Sequence, residues 1–284
     1  MSKIGFNLLV WSAAVSEDLF PILERLKNIG YDGAEFFISP AENAIYNKVG
    51  DFTRQLGLDT TGVFVLDRDH NPIDESAIVR ERALDKIKSN IDLAQRLNIS
   101  VICGPIHSAH TVFAARPASE DEYKRAAEVL YSAGDYAAQA GITLTPEALN
   151  RFECYLCNTM EQLLHLVKTT NHPNVKAMYD THHANMEEKS FANAIRTIAP
   201  VLGHVHISEN DRGTPGSGHI NFDESFATLA EVGYNGWFTI EAFSRNDPGF
   251  ANAIGVWREF SEPWDIAEGG YKFIRSMFEK HGIK

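Results

Sequence analysis

Residues 142–153 read ITLTPEALNRFE, a short run that follows a glycine and closes on a cluster of polar residues. Gly141 closes a helical pattern, the apolar-rich run after it stops at Glu147, and Asn150, Arg151 and Glu153 follow at once. A short run between a glycine and a carboxylate is the pattern of a buried strand that delivers an acid to its C-terminal end. Three later runs end the same way, at Asp180, His206 and Glu241. Taken singly, each is a satisfied polar residue at a strand end. Four on consecutive units read as one shared site. We expect these four side chains to hold one divalent metal ion.

Outward from that stretch the chain repeats a helix–glycine–strand unit. Strands are expected at 4–9, 34–38, 60–66, 100–106, 142–147, 175–180, 203–208 and 237–242. Between them run amphipathic patterns, for example Leu19, Ile22, Leu23 and Leu26 after Ser16, or Ala126, Val129, Leu130, Ala133 and Ala137 after Ser119. Ser119 with Glu122 and Thr159 with Gln162 have capping-box spacing, and Asn221 stands three residues before Glu224. A helix over about 189–199 is stopped by Pro200, and a closing helix follows Pro263. Strands alternating with helices imply a parallel sheet. Eight such units in 284 residues fit a closed (β/α)8 TIM barrel, an α/β fold, as a single domain over 1–284. No GxGxxG follows the first strand, which speaks against a dinucleotide-binding sheet, and no Pro/Gly/Ser linker divides the chain.

Lys+Arg 26 against Asp+Glu 38 leaves a net charge of −12, which repels phosphate backbones and anionic membrane surfaces. Nucleic acid and membrane are therefore not expected partners. The three cysteines, Cys103, Cys154 and Cys157, are too few for a disulfide framework, and the lone CxxC has no second pair to complete a zinc site. The opening MSKIGFNLLVWS lacks the long apolar region and cleavage site of a signal peptide, so a cytoplasmic protein is expected.

In a barrel the loops after the strands gather at one face, where residues far apart in sequence meet. Three carboxylates and one imidazole form an oxygen-rich set that suits Mn²⁺ or Mg²⁺, with Co²⁺ possible. Packed together without a cation, the three acids repel one another. His183 follows Asp180 in DTHH, and Glu209 and Arg212 follow His206 in HVHISENDR. His204 shares the parity of His206 but sits deeper and reads as a hydrogen-bonded core residue, while His182 is left outside the site. Lys176 has the parity of Asp180 but begins its strand, at the wrong end of a barrel for a Schiff base. Two carboxylates that reach one carbon suit proton removal and return beside a carbonyl that a metal polarises. On opposite faces they invert the carbon; shifted by one carbon they interconvert an aldose and a ketose.

The segments ALNRFE (148–153), DTHHANMEE (180–188), HVHISENDRGTPGSGHINF (204–222), TIEAF (239–243) and VWREF (256–260) carry a resemblance. The chain resembles the D-tagatose/D-psicose (ketose) 3-epimerase family, with a xylose-isomerase-like barrel. IGFNLLVW, GAEFF and CGPIHS extend the likeness through the first half. The resemblance implies Glu147, Asp180, His206 and Glu241 as ligands of a metal that is usually Mn²⁺, and Glu147 and Glu241 as the acid/base pair at C3 of a small sugar. It further implies Glu153, His183 and Arg212 at the O1 and O2 end of that sugar, and a homodimer or homotetramer built through outer helices. Phe6, Trp11, Glu35, Phe64 and His107, near the first four strand ends, either line the pocket or pack the core. Ala109 and His110 stand where relatives often carry an aromatic residue after the HS pair, and Thr145-Pro146 replaces a common apolar pair. Trp257, Phe260 and Trp264 serve either a subunit contact or the packing of the last helix.

Other readings remain at this stage. The same site could serve a hydroxypyruvate isomerase or an inosose dehydratase. An endonuclease IV type of repair enzyme needs more histidines and a basic face. A binding barrel that has lost its chemistry should lack one of the four ligands, and none is missing.

Overall fold

In the computed structural model, which describes residues 1–259 and 261–284, every expected strand is present. They are β1 (Lys3–Asn7), β2 (Gly33–Phe37), β3 (Asp59–Val63), β4 (Ile99–Gly104), β5 (Thr143–Pro146), β6 (Ala177–Asp180), β7 (Leu202–Ile207) and β8 (Trp237–Ile240). All paired neighbours run parallel, in the order β5-β4-β3-β2-β1-β8-β7-β6. The remaining gap, between β5 and β6, is stitched by one bridge at Leu144 and Val175. With helices between the strands, this is a nearly closed (β/α)8 TIM barrel in one domain.

The helices are α1 (Phe20–Ile29), α2 (Asn43–Leu56), α3 (Ala77–Arg96), α4 (Glu120–Gln139), α5 (Met160–Thr170), α6 (Thr181–Glu187), α7 (Phe191–Ile198), α8 (Phe222–Glu231), α9 (Pro248–Ala253) and α10 (Pro263–His281). Local chemistry starts most of them where the sequence says. Both capping boxes are formed, at Ser119–Glu122 and Thr159–Gln162. Asn221 caps α8 through Glu224 N, and Ser190 caps α7. Ser16 caps a short 3-10 turn (Glu17–Leu19) that leads into α1. The expected α4 stripe of Ala126, Val129, Leu130, Ala133 and Ala137 is buried throughout.

Two helices were not foreseen, α6 and α9. Residues 181–187 form a helix that Asp180 caps. Helix α9 is opened in the same way by Asp247, with Pro248 in its first turn. The tryptophans part company: Trp264 packs on Trp11 at 4.7 Å with Arg25 3.9 Å over its ring, whereas Trp257 is 74% exposed. Phe260 lies outside the described residues. Among those described, no helix is long and apolar enough to cross a membrane.

Candidate active site

Main-chain pairing carries the strands one residue further to deliver two of the acids. Glu147 N donates to Gly104 O at 2.9 Å and Glu241 N to Ile207 O at 3.2 Å. The approach at Gly104 requires glycine: its φ is +109°, and a Cβ would lie 2.6 Å from Phe64 O. Asp180, the last residue of β6, and His206, one before the end of β7, stand side by side in register. Glu147, Asp180, His206 and Glu241 are all buried, and each offers a ligand atom within 4.8 Å of the others.

Each group is held from behind. Asp180 divides its oxygens: Oδ1 accepts from His182 N (2.6 Å) and His183 N (3.2 Å) at the start of α6, while Oδ2 faces the cluster 3.6 Å from His206 Nδ1. Glu241 Oε2 accepts from Arg212 Nη1 at 2.7 Å, and Oε1 lies 3.4 Å from His206 Nδ1. Arg212 is buried, spans Glu241 and Ser208, and sits 4.9 Å from the centre of the Phe243 ring. Its φ of +62° is a left-handed conformation that a side chain adopts at some energetic cost, a mark of functional sites. The loop that carries it is organised by Glu209, whose carboxylate accepts from Asn210 N, Gly216 N and Ile220 N.

The residues fit a hard divalent cation. Glu147 Oε1 and His206 Nδ1 are buried with no hydrogen-bond partner, a costly state for two polar atoms that face the same point. Burial, then Glu241 and Asp180, drive the Glu147 carboxyl well above the usual carboxylate range. Burial pushes Asp180 up too, but Arg212 and His206 hold it well below its ordinary value. A cation between the acids relieves the repulsion and occupies the orphaned atoms.

The cluster opens into a cavity of about 630 Å³. Glu147, Glu153, His183, Arg212 and Glu241 converge at one end, and apolar residues such as Phe37, Val63, Phe250 and Val256 form other walls. His183 Nδ1 accepts from Asn150 N at 3.0 Å, which leaves the ring proton on Nε2. That nitrogen then meets Arg212 Nη2 at 3.0 Å, two donors face to face, with Glu147 Oε1 3.6 Å away. A ligand oxygen placed among them would accept from both. Burial and Arg212 keep His183 neutral by lowering its pKa.

Glu153 lines the same cavity and accepts from Asn150 Nδ2 (2.6 Å), with His110 Nε2 3.2 Å from its other oxygen. His110 itself lines the cavity where relatives often have an aromatic ring. His182, left outside the site on sequence grounds, is a cavity wall, its Nδ1 3.0 Å from Glu209 O. Phe6 and His107 are placed elsewhere. Phe6 is fully buried against Trp11 and Tyr31 and does not line the cavity. His107, also fully buried, puts Nε2 2.7 Å from Glu147 O and so steadies the acid's backbone; burial lowers its pKa to about 4. Trp11 and Phe64 are core, and Glu35 lies beneath the cluster. Lys176 is exposed ahead of β6, away from the acids.

The chain is similar to known proteins in sequence and in fold. Residues 23–275 match the Xylose isomerase-like TIM barrel family. The chain is 31% identical to the D-psicose 3-epimerase of Agrobacterium fabrum over 94% of its own length and 93% of that protein. A solved L-ribulose 3-epimerase superposes with a TM-score of 0.93 at 28% identity, covering 99% of this chain and 96% of that one. The D-allulose 3-epimerase from Methylomonas sp., solved in complex with D-allulose, gives 0.90 at 28% identity, with 97% of each chain covered. The chain belongs to the xylose isomerase-like TIM barrel family and, within it, to the D-tagatose/D-psicose 3-epimerases.

Proposed function

We propose that this chain is a metal-dependent ketose 3-epimerase that inverts C3 of a free ketohexose or ketopentose. The observation that carries the reading is the pairing of Glu147 and Glu241, two buried carboxylates from the ends of β5 and β8 in one cluster with Asp180 and His206. Relatives named for this reaction on psicose and ribulose support it.

Glu147, Asp180, His206 and Glu241 would hold the ion, most naturally Mn²⁺, with Co²⁺ or Mg²⁺ as substitutes. When bound, such an ion polarises a ketose carbonyl and neutralises the clustered acids. The chain's own groups do the rest. Arg212 Nη2 and His183 Nε2 donate to the oxygens at the O1 and O2 end, and Glu153 accepts from a hydroxyl there. One of Glu147 and Glu241 takes the C3 proton, leaving an enediolate across C2 and C3, and the other returns a proton to the opposite face. The two acids exchange protonation states in each turnover, so the reverse reaction uses the same pair in exchanged roles.

Incubating the Mn²⁺-loaded protein with D-fructose and separating the products should show D-psicose, and none after chelation. Unchanged D-fructose, D-tagatose and D-ribulose with a fully loaded protein would sink the reading. A homodimer or homotetramer in the cytoplasm is the assembly expected with it, measurable by sedimentation.

A further inference from the structure

Below the four proposed ligands lies a second buried polar group that the reaction above does not use. Glu35, on β2, is completely buried, an expensive place for a carboxylate. Donors surround it. Asn7 Nδ2 donates to Oε1 at 2.9 Å, and Thr61 Oγ1 donates to Oε2 at 2.9 Å. Cys103 Sγ donates to Oε2 at 3.4 Å. Two imidazoles approach as charge partners, neither in aligned hydrogen-bond geometry: His206 Nε2 lies 2.8 Å from Oε1, and His204 Nε2 lies 3.0 Å from Oε2. Asn7 Nδ2 also reaches Glu241 Oε1 at 3.5 Å, which joins this layer to the layer above.

The neighbours of His206 Nε2 decide where its proton sits. Besides Glu35 Oε1 it meets Cys103 Sγ at 3.7 Å, whose own proton is directed to Glu35. Both neighbours are acceptors, so Nε2 carries hydrogen and the lone pair is left on Nδ1, the atom that faces Asp180 and Glu241 with no hydrogen-bond partner.

We propose that Glu35 is a positioning residue for the metal centre: it fixes the tautomer and ring orientation of His206, and the layer of Asn7, Thr61 and Cys103 holds the Glu35 carboxylate in place. The proposal rests on the metal-dependent reading above. Partners of this kind behind a histidine ligand typically contribute about 10–100-fold in metal affinity. A second reading of the same atoms, a deeper cation held by Glu35, Cys103, His204 and His206, is disfavoured because three hydrogen-bond donors already point at the carboxylate.

Mn²⁺ titration by calorimetry on the cation-free protein, with Glu35→Gln in parallel, is the test. One ion per wild-type chain and an affinity loss of about 10–100-fold in a variant with wild-type circular dichroism are expected. Equal affinity in the folded variant would overturn the proposal, as would two ions per chain of which Cys103→Ser loses one. A wild-type chain that binds no divalent ion refutes the metal-dependent reading instead. Should Glu35→Gln not fold, ring ¹⁵N spectra of the Mg²⁺-loaded wild type decide: a His206 proton on Nε2 is expected, and one on Nδ1 would overturn the proposal.

Discussion

The two halves of the barrel contribute different things to one site. At the C-terminal ends of β5 to β8 cluster Glu147, Asp180, His206 and Glu241, of which Glu147 and Glu241 line the cavity. Strands β1 to β4 contribute Asn7, Glu35, Thr61 and Cys103, which meet one another beneath and touch the upper layer only at His206 and Glu241. The upper set is short of partners, with Glu147 Oε1 and His206 Nδ1 bare, whereas in the lower set both oxygens of Glu35 accept hydrogen bonds, and the bare ring nitrogens there belong to His204 beside it. An unsatisfied layer waits for a ligand, and a satisfied one fixes geometry. Substitutions in the two halves should therefore fail differently.

The largest effect is expected in the second half. Glu147→Gln should lower the rate by about 10²–10⁴-fold, read as solvent deuterium entering C3 of the product. The cation-free variant should melt within about 2 °C of wild type, because burial and two neighbouring acids already favour the uncharged form of Glu147. Wild-type exchange in the variant would remove Glu147 from the proton path and break the contrast.

Next comes the ion. Mn²⁺ at about 100 times its dissociation constant should add about 2.7 kcal/mol, raising the thermal midpoint by about 5 °C, and a chelator should reverse the gain. A midpoint indifferent to Mn²⁺ would mean that the bare atoms of the upper layer are not waiting for a cation.

The smallest effect concerns what anchors the loop after β5. Glu122, at the start of α4, accepts from Arg116, from the Ser119 backbone and hydroxyl, and from Tyr155 of that loop. Burial raises its pKa, but Arg116 and Tyr155 together bring it down to about 2 in the folded chain. A depressed acid stabilises the fold above its unfolded value near 4.5, and that contribution fades as pH falls toward 2. Glu122→Gln should thus cost about 2 kcal/mol at pH 7, with the gap to wild type closing between those two values in urea titrations. A gap unchanged with pH would assign the loss to packing instead of charge.

The upper layer was legible in the sequence and the lower one was not, for a physical reason. Glu147, Asp180, His206 and Glu241 each close a run of strand residues, so position along the strand already says where they point. Glu35 stands near a strand end that fits pocket lining and core packing equally, Thr61 and Cys103 look like ordinary strand residues, and only barrel closure brings the three together. The capping role of Asp180, which accepts from the first amides of α6, left a usable trace, since Asp before a short helical run is a good N-cap. His182, left outside the site by sequence, lies on α6 and lines the cavity. Phe6 and His107 were placed near strand ends correctly but lie behind the wall they were expected to line.

One join in the wall has its own consequence. Between β5 and β6 the main chains are linked near Leu144 alone, by Leu144 N to Asn174 O (3.0 Å) and Lys176 N to Leu144 O (2.8 Å), far below Glu147 and Asp180. Above that point the two staves are tied through side chains, by Asn150 N to His183 Nδ1 and by Arg151 to Glu187, so these acids face each other across a seam that has no ladder between them. An ion gripped by both would act as the missing stitch.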